Sequence, residues 1–382
     1  MNGILFVLLI ASACLAMPSG RWIKSDMHTH TGSSTGDTNT TAMTVAASWK
    51  TIGFNYLLVT DYYYSPYYGE YLNGHLDSAN VLYGNKDFVV GLGTEYPIYE
   101  HYTVSYAWSS PPNYSLPTSD AFWASHGVSK YSFGGEQAFI HYVDSTGGWI
   151  SINHPGDSGM SWSHFTTTLD SLLPLVENGL KGFEAFNGGN GLVWTQAKHI
   201  WRAGGIWDSI LVRGHRFCAL SGSDSHGSSA YKGFGCNRAY ILTDSITHEA
   251  YFEALFAGRF YMEADFYNGA PFAIIMNVTA GDSMMGSVVT VHDDYTNVRV
   301  QASVDTAYAR SISRNVPRLD TIRVICKGVV LAEVCPNRVE FDSLFQVPAD
   351  SISYARVEVQ AKNLTSGSIV RALSNPIYIR KD

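Results

Sequence analysis

From about residue 22 to residue 265 the chain alternates short apolar runs with stretches of helical period. Trp22–Ser25, Tyr56–Thr60, Phe88–Leu92, Trp149–Ile152, Gly182–Ala185 and Phe217–Leu220 are predicted to be buried strands. Ala42–Thr51, Glu136–Ser145, Trp194–Ala203 and Thr247–Ala257 carry apolar residues at helical spacing, and Gly53 and Gly258 are placed to end the first and the last. Such alternation predicts parallel strands with helices between them, an α/β barrel. After about residue 270 the period changes. Ala273–Val278, Asn297–Val304, Thr321–Cys326, Val329–Val334, Arg356–Ala361 and Asn375–Ile379 alternate apolar with polar residues, with turn residues between them and no helical stretch. This pattern predicts a small antiparallel β-sandwich. The expected units are a barrel over 22–268 and a sandwich over 270–382, with the boundary near Asn268-Gly269-Ala270-Pro271.

Ahead of the barrel, Ile4 to Leu15 is an apolar run too short to span a bilayer and suited to the core of a signal peptide. Residues 1–16 are therefore expected to direct secretion to a periplasmic, extracellular or cell-surface location. Ala11-Ser12-Ala13-Cys14 also resembles a lipoprotein cleavage box, which would anchor the chain at Cys14; plain secretion is the favoured alternative. No later stretch is long and apolar enough to be a membrane span.

Composition narrows the classes. Of 382 residues 46% are hydrophobic, enough for a sizeable core. The formal charge of −8 argues against a nucleic-acid polymer as partner. Past the leader, Cys218, Cys236, Cys326 and Cys335 permit disulfides in an oxidising compartment. Close spacing favours 218–236 and 326–335, with buried free thiols as the alternative. A turn at Lys327-Gly328 would not set Cys326 opposite Cys335. Asn39, Asn113, Asn277 and Asn363 head Asn-x-Ser/Thr sequons, relevant only in a eukaryotic secretory route.

The chemistry gathers at strand ends. Asp26-Met27-His28-Thr29-His30 follows the first strand, and residues i and i+2 of an extended chain face one side, so two imidazoles can converge on one ion. Asp61 follows the second strand. Glu95 follows the third, with His101 six residues on. His154-Pro155 follows the fourth, Glu184 and Asn187 belong to the fifth, and Asp224-Ser225-His226 follows the sixth. Barrel active sites are built at the C-terminal ends of strands. Mixed imidazole and carboxylate donors suit Zn, Mn or Fe, and a carboxylate flanked by histidines is what a two-metal hydrolytic site needs. Glu184 is expected to hydrogen-bond at the rim rather than to hold an ion. The run Tyr62-Tyr63-Tyr64-Ser65-Pro66-Tyr67-Tyr68 follows the second strand, so it either lines the mouth or packs on a surface loop.

His28-Thr29-His30, Thr60-Asp61-Tyr62, Gly93-Thr94-Glu95, His154-Pro155 and Asp224-Ser225-His226, in that order, resemble the motifs of the PHP (polymerase and histidinol phosphatase) superfamily. Gly258-Arg259 and Ser374-Asn375-Pro376-Ile377-Tyr378 further resemble its branch of carbamate and ester hydrolases (CehA/McbA-like), in which a β-sandwich often follows the barrel. The resemblance implies a distorted (β/α)7 barrel and two divalent ions, Zn, Mn or Fe. It implies that His28, His30, Glu95 and Asp224 hold one ion. Glu95 would bridge to a second, held also by His101 and His154. A third family site would use Asp37, Tyr62 and His226, but Tyr62 stands where the family has His, and a neutral phenol is a poor ligand. That leaves His226 free as general acid or substrate contact, and Asp61 to orient a ligand.

Three functions follow as expectations. The first is a secreted phosphoesterase using a metal-bridged hydroxide. The second is a carboxylic or carbamate ester hydrolase on the same ions, because Arg202, Arg213, Arg216, Arg238 and Arg259 show no spacing that marks phosphate ligands. The third is a non-catalytic surface binding protein with a relic barrel. A small-molecule ester or phosphoester is the expected partner.

Overall fold

The computed structural model describes residues 20–32, 41–62, 85–98, 101–105, 120–155, 167–188, 198–226, 237–265, 273–305, 317–364 and 367–382. The expected leader at 1–16 with Cys14, Asp37, Cys236, the tyrosine run beyond Tyr62 and the expected boundary at 268–271 lie outside these residues.

The first nine strands are β1 (Arg21–Thr29), β2 (Tyr56–Val59), β3 (Val89–Pro97), β4 (His101–Ser105), β5 (Trp149–Ile152), β6 (Gly182–Phe186), β7 (Cys218–Ser221), β8 (Asn237–Thr243) and β9 (Phe260–Asp265). They hydrogen-bond in the order β9-β8-β1-β2-β3-β4-β5-β6-β7. β1, β2 and β3 are parallel, as are β5, β6 and β7. β4 runs antiparallel between β3 and β5, and β8 and β9 are antiparallel as well. The expectation of parallel strands throughout is thus corrected. The link from Pro97 to His101 is too short for a crossover, so β4 can only return as a hairpin partner of β3. Beyond β7 the chain comes back to β1, where Asp224 N donates to His28 O and His30 N to Ser225 O, each at 2.8 Å.

Helices cover this sheet. Ala42–Thr51 has the expected bounds, with Thr41 accepting from Thr44 N as its N-cap. Its Val45, Ala46 and Trp49 are buried in one cluster with Leu57, Val59 and Val90 of β2 and β3. Phe133–Ser145 starts three residues before the expected Glu136, behind the cap Ser132. His248–Ala257 follows the cap Thr247 and ends at Gly258, whose φ of 73° is the left-handed C-cap conformation. Residues 198–201 are helical, while 194–197 are outside the described residues. Asp120–Ser125, Leu169–Glu177 and Ile206–Leu211 are further helices that the pattern did not predict. Among the described residues no helix is long and apolar enough to cross a membrane.

The remaining strands are β10 (Ile274–Ala280), β11 (Ser283–Met284), β12 (Val288–Val291), β13 (Tyr295–Val304), β14 (Arg318–Cys326), β15 (Val329–Val334), β16 (Glu340–Pro348), β17 (Ser353–Lys362), β18 (Ile369–Ser374) and β19 (Ile377–Lys381). β11-β10-β13-β16 form one sheet. β12-β19-β17-β18 continue the first sheet, because β18 pairs antiparallel with β9. Ile274, Met276, Val298 and Val300 share one core with Ile322, Val357, Val359 and Val370.

The 326–335 disulfide is not formed; Cys218, Cys326 and Cys335 are all free thiols. β14 and β15 turn at Lys327-Gly328, which pairs Cys326 with Val329 and Ile322 with Val334. Cys335 therefore follows the far end of the hairpin. The 218–236 pairing involves Cys236, outside the described residues. Asn277 and Asn363 are buried, which closes those two sequons in the folded chain.

Candidate metal centre

β1 leaves its register with β2 between Asp26 and Thr29, an irregularity of the kind that re-aims side chains. His28 lies within it and His30 just beyond it, both fully buried. Their Nε2 atoms face one another at 3.1 Å. Glu95, on β3, brings Oε2 to 3.3 Å from His28 Nε2 and 3.0 Å from His30 Nε2. Asp224 Oδ1 lies 3.5 and 3.2 Å from the same two nitrogens. Donor atoms of His28, His30, Glu95 and Asp224 all fall within 4.8 Å of one another.

The other oxygen of Glu95 faces a second group. Oε1 is 2.8 Å from His101 Nδ1 and 3.3 Å from His154 Nε2. His101 opens β4 and His154 follows β5, so the antiparallel hairpin delivers a ligand beside a parallel one. Two residues of the set have strained backbones, His154 at φ 29° and Asp224 at φ 49°.

Burial and the mutual attraction of imidazoles and carboxylates set the electrostatics of the centre in opposite directions. Burial pushes the His30 imidazole down, but hydrogen bonds to Asp224 and Glu95 raise it further, to about 9. Burial likewise opposes and Glu95 outweighs it at His154, also about 9. His28 is held well above its ordinary value by Glu184, Asp224 and Glu95 against the cost of burial. Burial alone would raise Glu95 and Asp224; the imidazoles around them pull both below the usual carboxylate range. Asp224 Oδ1 is buried and faces the imidazoles of His28 and His30 at 3.5 and 3.2 Å, with no backbone or hydroxyl donor at hydrogen-bond distance among the described residues. The donor set thus fits divalent metal: imidazoles and carboxylates, in two groups that share Glu95.

Around this set stands a layer of orienting contacts. Glu184 Oε1 is 2.8 Å from His28 Nδ1, and a carboxylate only accepts, so Nδ1 carries the proton and Nε2 keeps its lone pair for an ion. Glu184 Oε2 accepts from His154 N and from Asn187 Nδ2. Asn153 donates Nδ2 to Glu95 Oε1 at 3.1 Å. Asp61 accepts at both oxygens from Thr31, N to Oδ1 at 2.7 Å and Oγ1 to Oδ2 at 2.5 Å, and lies 3.9 Å from His30 Nδ1. It orients the turn after His30. Gly222 allows the approach of the chain after β7, since a Cβ there would stand 2.3 Å from His28 Cβ and 2.7 Å from Glu184 Oε1.

His226 is half-buried at the edge of the set, its Nδ1 2.9 Å from Asp224 O and its ring 4.3 Å from that of His30. Burial and the neighbouring His30 lower its pKa. The Tyr62 ring is 4.8 Å from His30 and 6.1 Å from His101. Asn153 was missed from the sequence, although it directly precedes His154-Pro155. Asp26 was missed as well, although it opens the His-x-His segment. Two further histidines lie elsewhere: His248 is buried against the Tyr56 hydroxyl, and His292 is on the surface beside Asp382.

The arrangement defines a buried imidazole–carboxylate centre with two ligand groups that share one glutamate. No family model matches the sequence, and no curated protein matches it. Among solved structures, one that matches is a two-domain protein containing a predicted PHP-like metal-dependent phosphoesterase from Bacteroides vulgatus ATCC 8482. It is 12% identical, with a TM-score of 0.46 and 95% of each chain covered. Another is PsfC from Pseudomonas syringae PB-5123, 13% identical with a TM-score of 0.38, covering 58% of this chain and 82% of that one. The case for the metal centre rests on the distances within the chain.

Proposed function

We propose that this chain is a divalent-metal-dependent hydrolase of ester bonds, with phosphate esters as its first substrate class. The observation that carries the reading is Glu95, buried, with Oε2 toward His28 and His30 and Oε1 toward His101 and His154. His28, His30, Glu95 and Asp224 would hold one ion, and Glu95, His101 and His154 a second. Such ions supply Lewis acidity and lower the pKa of water. Glu184 fixes the tautomer of His28, and Asn153 steadies Glu95. His226 is tied at Nδ1, which leaves Nε2 to exchange a proton with the leaving group.

We read the fold as a distorted barrel over 22–268 followed by a sandwich over 270–382; the antiparallel β4 and the hydrogen bonds from the chain after β7 back to β1 support that reading. Residues 1–16 would export it.

Carboxylic or carbamate esters form the second reading, favoured by the arginines. Arg213 donates to Ser209 O, Arg216 to Gly286 O, Arg238 pairs with Glu263 and Arg259 with Glu253. These four guanidinium groups are engaged away from the centre, so phosphate would depend on the ions for its counter-charge.

The test is metal content by mass spectrometry together with hydrolysis of a panel of phosphate, carboxylic and carbamate esters. About two equivalents of Zn, Mn or Fe are expected. A His28→Ala/His30→Ala variant should lose metal and activity together, and chelator should abolish turnover. No bound metal after reconstitution would overturn the reading and leave a non-catalytic binding protein.

A further inference from the structure

Asp26 is completely buried, two residues before the first histidine, and among the described residues neither Lys nor Arg hydrogen-bonds to it. A carboxylate in such a place is costly unless N–H or O–H groups saturate it. Three do. Oδ1 accepts from His28 N at 3.2 Å and from Ser223 N at 3.0 Å. Oδ2 accepts from Trp49 Nε1 at 2.8 Å.

The two backbone donors belong to different segments, β1 and the chain after β7. β1 has left the β2 register at this level, so His28 N has no ladder partner there. β7 ends at Ser221, so Ser223 N is beyond its ladder too. One carboxylate oxygen therefore stands in for the missing rung between the two chain segments that carry ligands. The rungs that follow are backbone ones, Asp224 N to His28 O and His30 N to Ser225 O. Ser225 N adds a bond to Ser223 Oγ. Asp26 is thus the first rung of a clasp whose later rungs hold His28, His30 and Asp224 at their spacing, with Asp224 kept at its left-handed φ of 49°.

We propose that Asp26 is a positioning residue that sets the geometry of the His28/His30/Glu95/Asp224 ion site, with Trp49 as its anchor in the helix Ala42–Thr51. The proposal rests on the metal-hydrolase reading and adds to it a residue that touches no ion. It acts through the backbone of His28 and Ser223, and it discriminates between the two ion sites. The Glu95/His101/His154 group is carried by β3, β4 and the end of β5, none of which Asp26 bonds.

The test uses the full chain stripped of metal, titrated calorimetrically with Zn2+ and with Mn2+, in wild type, Asp26→Asn, Trp49→Phe and the double variant. In Asp26→Asn the amide oxygen still serves His28 N and Ser223 N, but its NH2 then faces the indole N–H, donor against donor. One of the two sites should weaken by about 10–100-fold, the cost usual for an outer partner of a metal ligand, while the other changes little. Trp49→Phe removes the opposing donor, so the double variant should regain most of the lost affinity. A purely structural role predicts a different result: lower thermal midpoints, both affinities unchanged, and a double variant worse than either single one. That result would overturn the proposal and leave the hydrolase reading standing. A wild type that binds neither ion would overturn both. Should Asp26→Asn fail to fold, Trp49→Phe alone carries the test, because it withdraws one of the three donors. A selective loss of about 3–10-fold at one site is then expected, and unchanged affinity at both sites would overturn the proposal.

Discussion

His30 and His154 carry a pH signature with a definite sign. Both have pKa values raised to about 9 in the metal-free chain, against about 6.5 for an exposed imidazole. A raised folded-state value means that the ion pairs with Glu95 and Asp224 contribute in full below pH ~6.5 and are lost as pH climbs through about 9. The depressed values of Glu95 and Asp224 are the acid-side view of the same contacts, lost as pH falls below the carboxylate range, so the pairs count once. The chelator-stripped protein should therefore show a falling thermal midpoint between pH 6.5 and 9. A bound ion replaces those protons, so its uptake should release them and its apparent affinity should climb over the same window. Calorimetry in buffers of differing ionisation heat measures the release. A metal-free midpoint that rises with pH, with no protons released on binding, would contradict the charge assignment.

At the scale of elements, the centre depends on how closely β1 and the end of β7 approach, and Gly222 governs that approach. Gly222→Ala would force its methyl against His28 Cβ and Glu184 Oε1, with no flexible chain end at His28 able to give way. Overpacking of this kind costs about 1–3 kcal/mol. The displacement falls on His28 and its orienting carboxylate, so metal affinity should drop by more than the loss in thermal midpoint suggests. Equilibrium dialysis beside a thermal melt checks it; retained affinity with a lower midpoint would place the strain elsewhere. The sequence showed the ligand-bearing tips of these elements because each follows a short apolar run: His28 and His30 in β1, Glu95 in β3, His154 after β5 and Asp224 after β7. It did not show the partners that depend on register across the sheet, such as Asn153 beside Glu95. β4 went unseen because His101 and Thr103 interrupt its apolar residues and its pairing is set by a short hairpin link. β8 and β9 went unseen for a different reason. Arg238 and Glu263 form a buried ion pair between them, so charged residues occupy positions where a buried run was sought. Only the fold brings those charges together.

For the molecule as a whole, the two sequence-defined halves share more than a boundary. β18 pairs with β9, so one sheet runs through both. Asn375, fully buried after β18, gives its side-chain amide to the gap between β7 and β9: Oδ1 accepts from Ala219 N at 3.0 Å and Nδ2 donates to Phe260 O at 3.0 Å. Arg356 of β17 is also fully buried, and it pairs with Asp208 of the helix Ile206–Leu211 through Nε at 2.7 Å and Nη2 at 2.8 Å. The Tyr354 hydroxyl adds a third bond to Asp208, and the guanidinium lies 4.6 Å from the centre of the Trp207 ring. Removing Arg356 leaves the Asp208 charge buried with the Tyr354 hydroxyl and Gly204 N as donors but no counter-charge from Arg356. Arg356→Met should therefore cost about 3–5 kcal/mol, whereas Arg356→Met/Asp208→Leu, which removes the Asp208 charge as well and leaves Glu358 to Arg323, should recover part of that loss. Because these contacts join strands on both sides of residue 270, the full chain should melt in one cooperative step followed by near- and far-ultraviolet circular dichroism, and Arg356→Met should shift that step as a whole. Two transitions in the wild type, with only the upper or lower one moved by the substitution, would show that the halves fold separately and that the buried pair merely docks them. A single shifted transition would mean that the centre at the end of β7 is held in place by the C-terminal strands as well as by its own.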